Sequence, residues 1–217
     1  EFTANVSHEL KTPLQSIIGS AELLENGLVK PEDQPRFLNR IHQEADRLVA
    51  LINDILRLSQ LDEGGALPHE QVSVLELAQE AARSLTAQAA AKAVHISVIG
   101  TAGTVFGVRR LLYEIARNLC ENAVKYNVPG GSVTVEVAET DRDVTLLVRD
   151  TGIGIPEGDQ SRVFERFYRV DKSHSRAIGG TGLGLSIVKH AVAYHHGTLR
   201  LESQPGKGTC LLYTSPS

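Results

Sequence analysis

A histidine followed directly by an acidic residue, Ser7-His8-Glu9-Leu10-Lys11-Thr12-Pro13, lies in the chain's first apolar-periodic segment. An imidazole is a nucleophile near neutral pH, and an adjacent carboxylate can fix its tautomer and balance charge developing on the ring. Alone the pair is weak evidence, because helices expose many such neighbours and a local charge contact explains most of them. A second helical stretch far downstream, Asn118-Leu119-Cys120-Glu121-Asn122, adds weight. Asn118, Asn122 and Lys125 recur at steps of four and three and share a helix face, with Tyr126 beside them. An amide oxygen is a hard ligand suited to magnesium, a lysine adds positive charge near phosphates, and a tyrosine ring can stack on a base. The same set also reads as an ordinary polar helix face.

Two glycine-rich segments follow. Asp150-Thr151-Gly152-Ile153-Gly154-Ile155-Pro156 comes directly after an alternating strand pattern. A carboxylate at a strand end can accept from the exocyclic amine of adenine, and Gly152 and Gly154 let backbone approach the base; a simple Asp-Gly turn has the same sequence. Gly179-Gly180-Thr181-Gly182-Leu183-Gly184-Leu185-Ser186 opens the last helical pattern, where free backbone amides and the helix dipole favour phosphate. It lacks the Gly-Lys-Ser/Thr of a P-loop and does not follow a strand as a dinucleotide fingerprint does. Between the two, Val163-Phe164-Glu165-Arg166-Phe167-Tyr168-Arg169 reads as an aromatic anchor and residues 171–178 as a mobile lid. Arg169 or Lys172 could reach a terminal phosphate, or be solvated surface charge.

The elements that must position these groups follow from hydrophobic spacing. In residues 2–26, Val6, Leu10, Leu14, Ile17, Ile18, Ala21 and Leu24 recur at helical steps, with Pro13 predicting a bend just after His8. After a turn in residues 27–35, Leu38, Ile41, Ala45, Leu48, Ile52 and Ile55 form a coiled-coil-like seam. Two amphipathic helices joined by a short turn bury their apolar faces poorly alone. The pattern therefore predicts a homodimer through residues 1–62, built as a four-helix bundle, the other solution being a hairpin packed on the rest of the chain. Residues 63–68 read as a linker. In residues 69–217 a short strand at 71–72, a helix at 74–92, a strand at 94–99 and a helix at 108–126 are expected. Antiparallel strands at 132–138 and 144–149, a helix at 183–195 and strands at 198–202 and 209–213 complete the order. That order predicts an α+β sandwich, helices on one face of a mixed sheet.

With 217 residues, 41% hydrophobic and 22% charged, the chain suits one or two ordinary soluble domains. A net charge of −4 without a basic run argues against nucleic acid as a partner. Cys120 and Cys210 are the only cysteines, which argues against a disulfide framework and for packing residues in a reducing compartment. No stretch reaches the roughly 18 to 20 apolar residues of a membrane span, and no signal peptide is visible. Starting inside a helical pattern at Glu1-Phe2, the chain reads as a soluble piece of something longer. A zinc peptidase would need a second histidine four residues after His8, where Thr12 stands. His42, His95, His174, His190 and the His195-His196 pair show no ligand spacing and read as surface or capping residues.

In this order the segments resemble the catalytic core of a sensor histidine kinase of two-component signalling, over nearly the whole chain. Residues 2–13 look like its phosphoacceptor motif, 118–126 its asparagine motif, 150–155 and 180–185 two glycine motifs, 164–167 its phenylalanine motif, and Gly206-Lys207-Gly208-Thr209 its last glycine motif. The resemblance implies a multidomain fold. An all-α dimerisation and phosphotransfer hairpin, residues 1–62, precedes a Bergerat-type ATP-binding α+β sandwich of the kind shared with gyrase and MutL, residues 69–217. It also implies ATP and magnesium as cofactors, with Asn122 holding the metal. His8 would attack the γ-phosphate with Glu9 on the ring's other nitrogen, and Thr12 would position water for dephosphorylating the regulator. Tyr126 would stack on adenine, Asp150 would read it, and Thr209 would lie near it. Asn118, Lys125, Gly152, Gly154, Ile155, Gly180, Thr181, Gly182, Leu183, Gly184 and Leu185 would complete the nucleotide site.

The implied partner is the receiver domain of a response regulator, whose aspartate takes the phosphoryl group from His8. The implied setting is the cytoplasmic portion of a membrane-anchored bacterial protein, the anchor lying outside these residues. One departure stands out: Leu211 replaces the aromatic usual two residues after Thr209, and residues 213–217 lack the usual strand ending. A truncated or altered last strand is therefore expected, with the stability of the ATP domain the property in question. The rival reading on the same fold is a non-kinase member, a conformational ATPase or an inactive scaffold that binds partners through its helical hairpin, which would lack a usable histidine with an acidic neighbour; an inactive or phosphatase-biased ATP-binding scaffold is the alternative function.

Overall fold

The two helical patterns at the start form a hairpin. A computed structural model describes residues 2–62, 67–101, 103–170 and 180–216. The expected lid at 171–178, with Lys172 and His174, and most of the expected linker lie outside the described residues. Helix α1 (Phe2–Glu25) runs unbroken through Pro13, and a single 3-10 turn leads into α2 (Gln34–Asp62). Arg40 Nε donates to Ser16 Oγ across the hairpin at 3.1 Å. One hairpin leaves much of its apolar surface bare: Leu14, Ile18, Leu38, Val49, Ile52 and Leu56 are each close to half exposed or more. Another part is covered, because Leu51 and Leu58 pack against the second half of the chain.

In that half, β1 (Glu70–Ser73) leads into α3 (Val74–Ser84), capped by Ser73 Oγ, which accepts from the Glu76 amide at 3.4 Å. Ser73 and Glu76 have the spacing of a capping box. The single helix expected over 74–92 is two helices, with Leu85 (φ −102°, ψ 1°) between α3 and α4 (Thr86–Ala91). Hydroxyls cause the break: Ser84 Oγ donates to the Ala81 carbonyl and Thr86 Oγ1 to the Arg83 carbonyl, competing with the helical ladder. Next come β2 (His95–Gly100), β3 (Thr104–Gly107), α5 (Arg109–Lys125), β4 (Ser132–Glu139), β5 (Asp143–Asp150), the short α6 (Glu157–Gln160), α7 (Gly184–Tyr194), β6 (Thr198–Gln204) and β7 (Gly208–Pro216).

The main sheet has order β2-β4-β5-β7-β6, parallel only between β2 and β4, and β1 pairs with β3 in a separate two-stranded sheet. Alternation along β4 and β5 sends Val133, Val135, Val137, Val144, Leu146 and Val148 inward. Ile115, Leu119 and Cys120 of α5 belong to the same buried core. Complete burial pushes the Cys120 thiol up to about 12, as expected of a packing residue. The last strand corrects the expected truncation: β7 stays paired with β5 as far as Pro216 opposite Asp143. Leu211 (5% exposed) and Tyr213 (1% exposed) are buried in the core, so the strand needs no aromatic at 211.

His195, expected at the surface or as a cap, is buried and does act as a cap. Its Nε2 accepts from the Val108 amide at the start of α5 (3.0 Å), and its Nδ1 donates to the Ala191 carbonyl (2.7 Å). Gly107 makes room, since a Cβ there would stand 2.6 Å from the ring. Burial lowers the pKa of His195 below its ordinary 6.5. The folded state therefore binds its proton less readily than the unfolded state, and stability present above about pH 6.5 is lost as the pH falls from there through the lower folded-state pKa. The urea midpoint of the wild type is expected to drop between pH 7.5 and 5.5 by clearly more than that of His195→Gln, each measured at both pH values. Equal drops would show that the imidazole does not govern acid stability.

Candidate functional site

α5 buries one stripe against the sheet and turns its polar face to a cavity of about 420 Å³. Asn118 Nδ2 donates to the Glu114 carbonyl at 2.8 Å, and a Cβ on Gly184 would come within 2.9 Å of Asn118 Oδ1. Lys125 Nζ lies beside Gly180, 3.2 Å from where a Cβ would stand, with the Tyr126 hydroxyl at 3.4 Å. Burial lowers the Lys125 pKa, with Glu121 opposing and Arg169 and Lys92 reinforcing the shift.

Asp150 ends β5 at the back of the cavity. Its Oδ1 accepts from the Gly152 amide at 2.8 Å and the Thr209 amide at 3.2 Å. Among the described residues none donates to its Oδ2. Burial raises the Asp150 pKa while the two amides work against the rise. A residue not singled out in the sequence, Ser203, knits this end together: its Oγ accepts from the Ile155 amide at 2.8 Å and lies 2.9 Å from Thr209 Oγ1. Its signal was faint, a lone hydroxyl in a strand.

The glycine loop at the start of α7 is tied to the aromatic anchor. Phe167 sits at φ +65°, an uncommon conformation for a bulky residue, and its amide donates to the Gly182 carbonyl at 2.9 Å. Gly182, at φ +74°, approaches so closely that a Cβ would stand 3.0 Å from the Phe167 backbone. Leu183 is fully buried and faces away from the cavity wall, in an apolar cluster with Leu51, Leu58 and Ile187.

The hairpin supplies the remaining wall through Ala50, Asn53, Asp54 and Arg57. None of these was legible as a site residue, because each looks like a polar or small position flanking the seam. Thr181 Oγ1 donates to Asp54 Oδ2 at 2.7 Å, and Arg57 Nη1 donates to Glu114 Oε2 at 3.0 Å. Nearby, His8 Nδ1 lies 3.8 Å from Glu9 Oε1, and Glu9 Oε2 lies 3.6 Å from Arg47 and 3.9 Å from Arg169. Of the residues expected to act together, Asn118, Asn122, Lys125, Tyr126, Asp150, Gly154, Ile155, Arg169, Gly180, Thr181, Gly182, Gly184, Leu185 and Thr209 line the cavity. Gly152 lies behind Asp150, and His8, Glu9 and Thr12 lie on α1, outside the cavity and connected to it through Arg169. Among the described residues no three His, Cys, Asp or Glu gather as a metal site. Magnesium that arrives with phosphates needs only one or two protein oxygens, and the Asn122 amide fits that demand.

Comparison with known proteins follows the same division. The family described as histidine kinase-, DNA gyrase B- and HSP90-like ATPase matches residues 107–216, and the His Kinase A (phospho-acceptor) domain matches residues 1–64. The sensor-like histidine kinase SenX3 of Mycolicibacterium smegmatis is 40% identical over 218 residues, covering 100% of this chain and 57% of that protein. The chain belongs to the sensor histidine kinases. WalK of Bacillus subtilis is 37% identical over 227 residues, covering 100% of the kinase core and 36% of WalK. The core thus spans little more than half the length of SenX3 and about a third of WalK. Among solved structures, full-length ShkA in complex with AMPPNP superposes with a TM-score of 0.72 at 28% identity, over 98% of this chain and 45% of that one. Histidine kinase ThkA in complex with the response regulator protein TrrA shares the fold, with a TM-score of 0.80 at 22% identity, over 100% of this chain and 61% of that one. Among the described residues of the kinase core, no helix is long and apolar enough to cross a membrane.

With Oδ1 of Asp150 committed to two backbone amides, Oδ2 is the atom that can accept from a base amine. In Asp150→Asn the amide oxygen would stay with those donors and turn an NH₂ group toward the base. Calorimetric titration is expected to show ATP affinity falling about tenfold to a hundredfold, the value of one hydrogen bond to a charged group. Unchanged affinity would remove Asp150 from base recognition.

Proposed function

We propose that this kinase core transfers the γ-phosphoryl group of ATP to His8, and from there to an aspartate on the receiver domain of a response regulator. The observation that carries the reading is Arg169, which lines the cavity and also reaches Glu9, the residue beside His8. Adenine sits against Asp150 with Tyr126 stacked on it, and the phosphates run toward Lys125, Asn118 and the amides at the start of α7. Asn122, on the cavity wall, would hold magnesium brought in with the phosphates, and the metal would supply charge neutralisation there.

His8 is open to solvent, its side chain 73% exposed. Its Nδ1 faces Glu9, so Nε2 is the nucleophile. Nε2 bonds to the γ-phosphorus as the bond to the β–γ bridging oxygen breaks and ADP leaves. The ring then carries positive charge, which the Glu9 carboxylate balances while accepting the Nδ1 proton. In the second step an aspartate oxygen of the regulator attacks phosphorus, the P–Nε2 bond breaks, Glu9 returns the proton to Nδ1 and His8 is restored as neutral imidazole. Thr12, whose Oγ1 donates to the His8 carbonyl at 3.2 Å, is one turn along the same helix and positions water when the regulator is dephosphorylated.

The apolar residues left bare on the hairpin support a homodimer through residues 1–62, closed as a four-helix bundle. Membrane attachment belongs to parts of the protein outside this chain, which we place on the cytoplasmic side. The net charge of −4 without a basic run speaks against nucleic acid as a partner. Incubation with γ-labelled ATP and magnesium is expected to label the wild type with acid-labile, alkali-stable phosphate, and to leave His8→Gln unlabelled. Label that survives in His8→Gln would overturn the assignment, and nucleotide binding without label in the wild type would favour the inactive scaffold.

A further inference from the structure

The terminus of α7 that would receive phosphates already holds an anion from the hairpin. Asp54 sits on α2 with its side chain 16% exposed, and its Oδ2 accepts from Thr181 Oγ1 at 2.7 Å. The same Thr181 hydroxyl oxygen accepts from the Leu183 amide at 3.2 Å, so one of the first amides of the glycine loop is spoken for. Asp54, Asn53 and Arg57 line the cavity together with Gly180, Thr181, Gly182 and Gly184. Arg57 lies 3.8 Å from Asp54 but makes its shorter contact, 3.0 Å, with Glu114.

Resting on the nucleotide reading above, we propose that Asp54 is an affinity-determining residue of the nucleotide site: its carboxylate stands against the phosphate loop when the hairpin is seated, so ATP and the seated hairpin oppose each other. Two anions sharing one water-poor wall repel, and the loop hydroxyl that Asp54 uses is a donor the phosphates would otherwise take. Burial raises the Asp54 pKa, an independent sign that its charge is held there at a cost. Seating is maintained by apolar contacts outside the cavity, Leu51 and Leu58 against Leu183 and Ile187, so the carboxylate stays at the loop until that contact opens. By linkage, whatever opens the contact tightens ATP binding, and ATP loosens the contact by the same factor.

The test is calorimetric titration of the 217-residue chain with ATP and magnesium for wild type, Asp54→Asn, Leu51→Ser and the double variant, with hydrogen exchange of α2 and α7 measured beside it. Asp54→Asn is expected to bind ATP about three- to tenfold tighter. Leu51→Ser, which removes an apolar seating contact without touching the cavity, is expected to shift affinity the same way. The double variant should gain less than the sum of the two, because an unseated hairpin no longer presents Asp54. In the wild type, ATP should speed exchange around Leu51 and Leu58. Equal or weaker binding by Asp54→Asn, or ATP slowing that exchange, overturns the role of Asp54 while leaving the nucleotide site intact. No ATP binding by the wild type or any variant overturns both.

Discussion

A patch of apolar packing, Leu51 and Leu58 of the hairpin against Leu183, just before α7, and Ile187 within it, decides where everything else in this kinase core sits. Leu10, Ile55 and Phe167 pack around its edge. Each large side chain removed from water contributes roughly 1.5–3 kcal/mol, more than the long ion pairs nearby. Ion pairs as long as those of Glu9 with Arg47 and Arg169, at 3.6 and 3.9 Å, would not hold two domains in register by themselves. Given the apolar seat, they become directional: the ATP domain delivers Arg169 to Glu9 and Thr181 to Asp54.

The same seat sets the electrostatics of the cavity. Lys125 and Arg169 bring positive charge from the ATP domain, while Asp54 brings negative charge from the hairpin. Burial disfavours the charged forms of both Lys125 and Asp54, so each is held by its neighbours and not by solvent. Phe167 connects the two systems. Its strained backbone bonds to Gly182 in the loop, while its side chain packs at the edge of the apolar patch, so one residue touches both loop and hairpin seat.

Much of this was legible in the sequence, because the periodic signals are strong where one face is buried. The hairpin helices, α5, the β4–β5 pair and α7 follow directly from apolar spacing, and the residues of α5, Asp150 and the glycine loop converge on one cavity as their types suggested. The four-residue strand β3 gave no signal, since its partner β1 lies across two helices and a strand and neither is long enough to show alternation. The break at Leu85 was hidden because Ser84 and Thr86 are tolerated in helices and act only through their hydroxyls. β7 looked truncated because its tail is polar, yet pairing with β5 depends on backbone and not on side-chain type. Asp54, Arg57 and Ser203 were invisible as site residues because their roles arise only when two distant parts of the chain meet.

At the centre of the proposed transfer stands one imidazole: His8 Nδ1 lies 3.8 Å from Glu9 Oε1, and Nε2 is the atom we propose takes phosphorus. Phosphorus–nitrogen NMR of the ¹⁵N-histidine-labelled chain, recorded after incubation with ATP and magnesium under alkaline quench, tests this most directly. A single phosphoramidate coupled to Nε2 of His8 is the expected spectrum. Phosphate on Nδ1, or coupling to a different histidine, would contradict it.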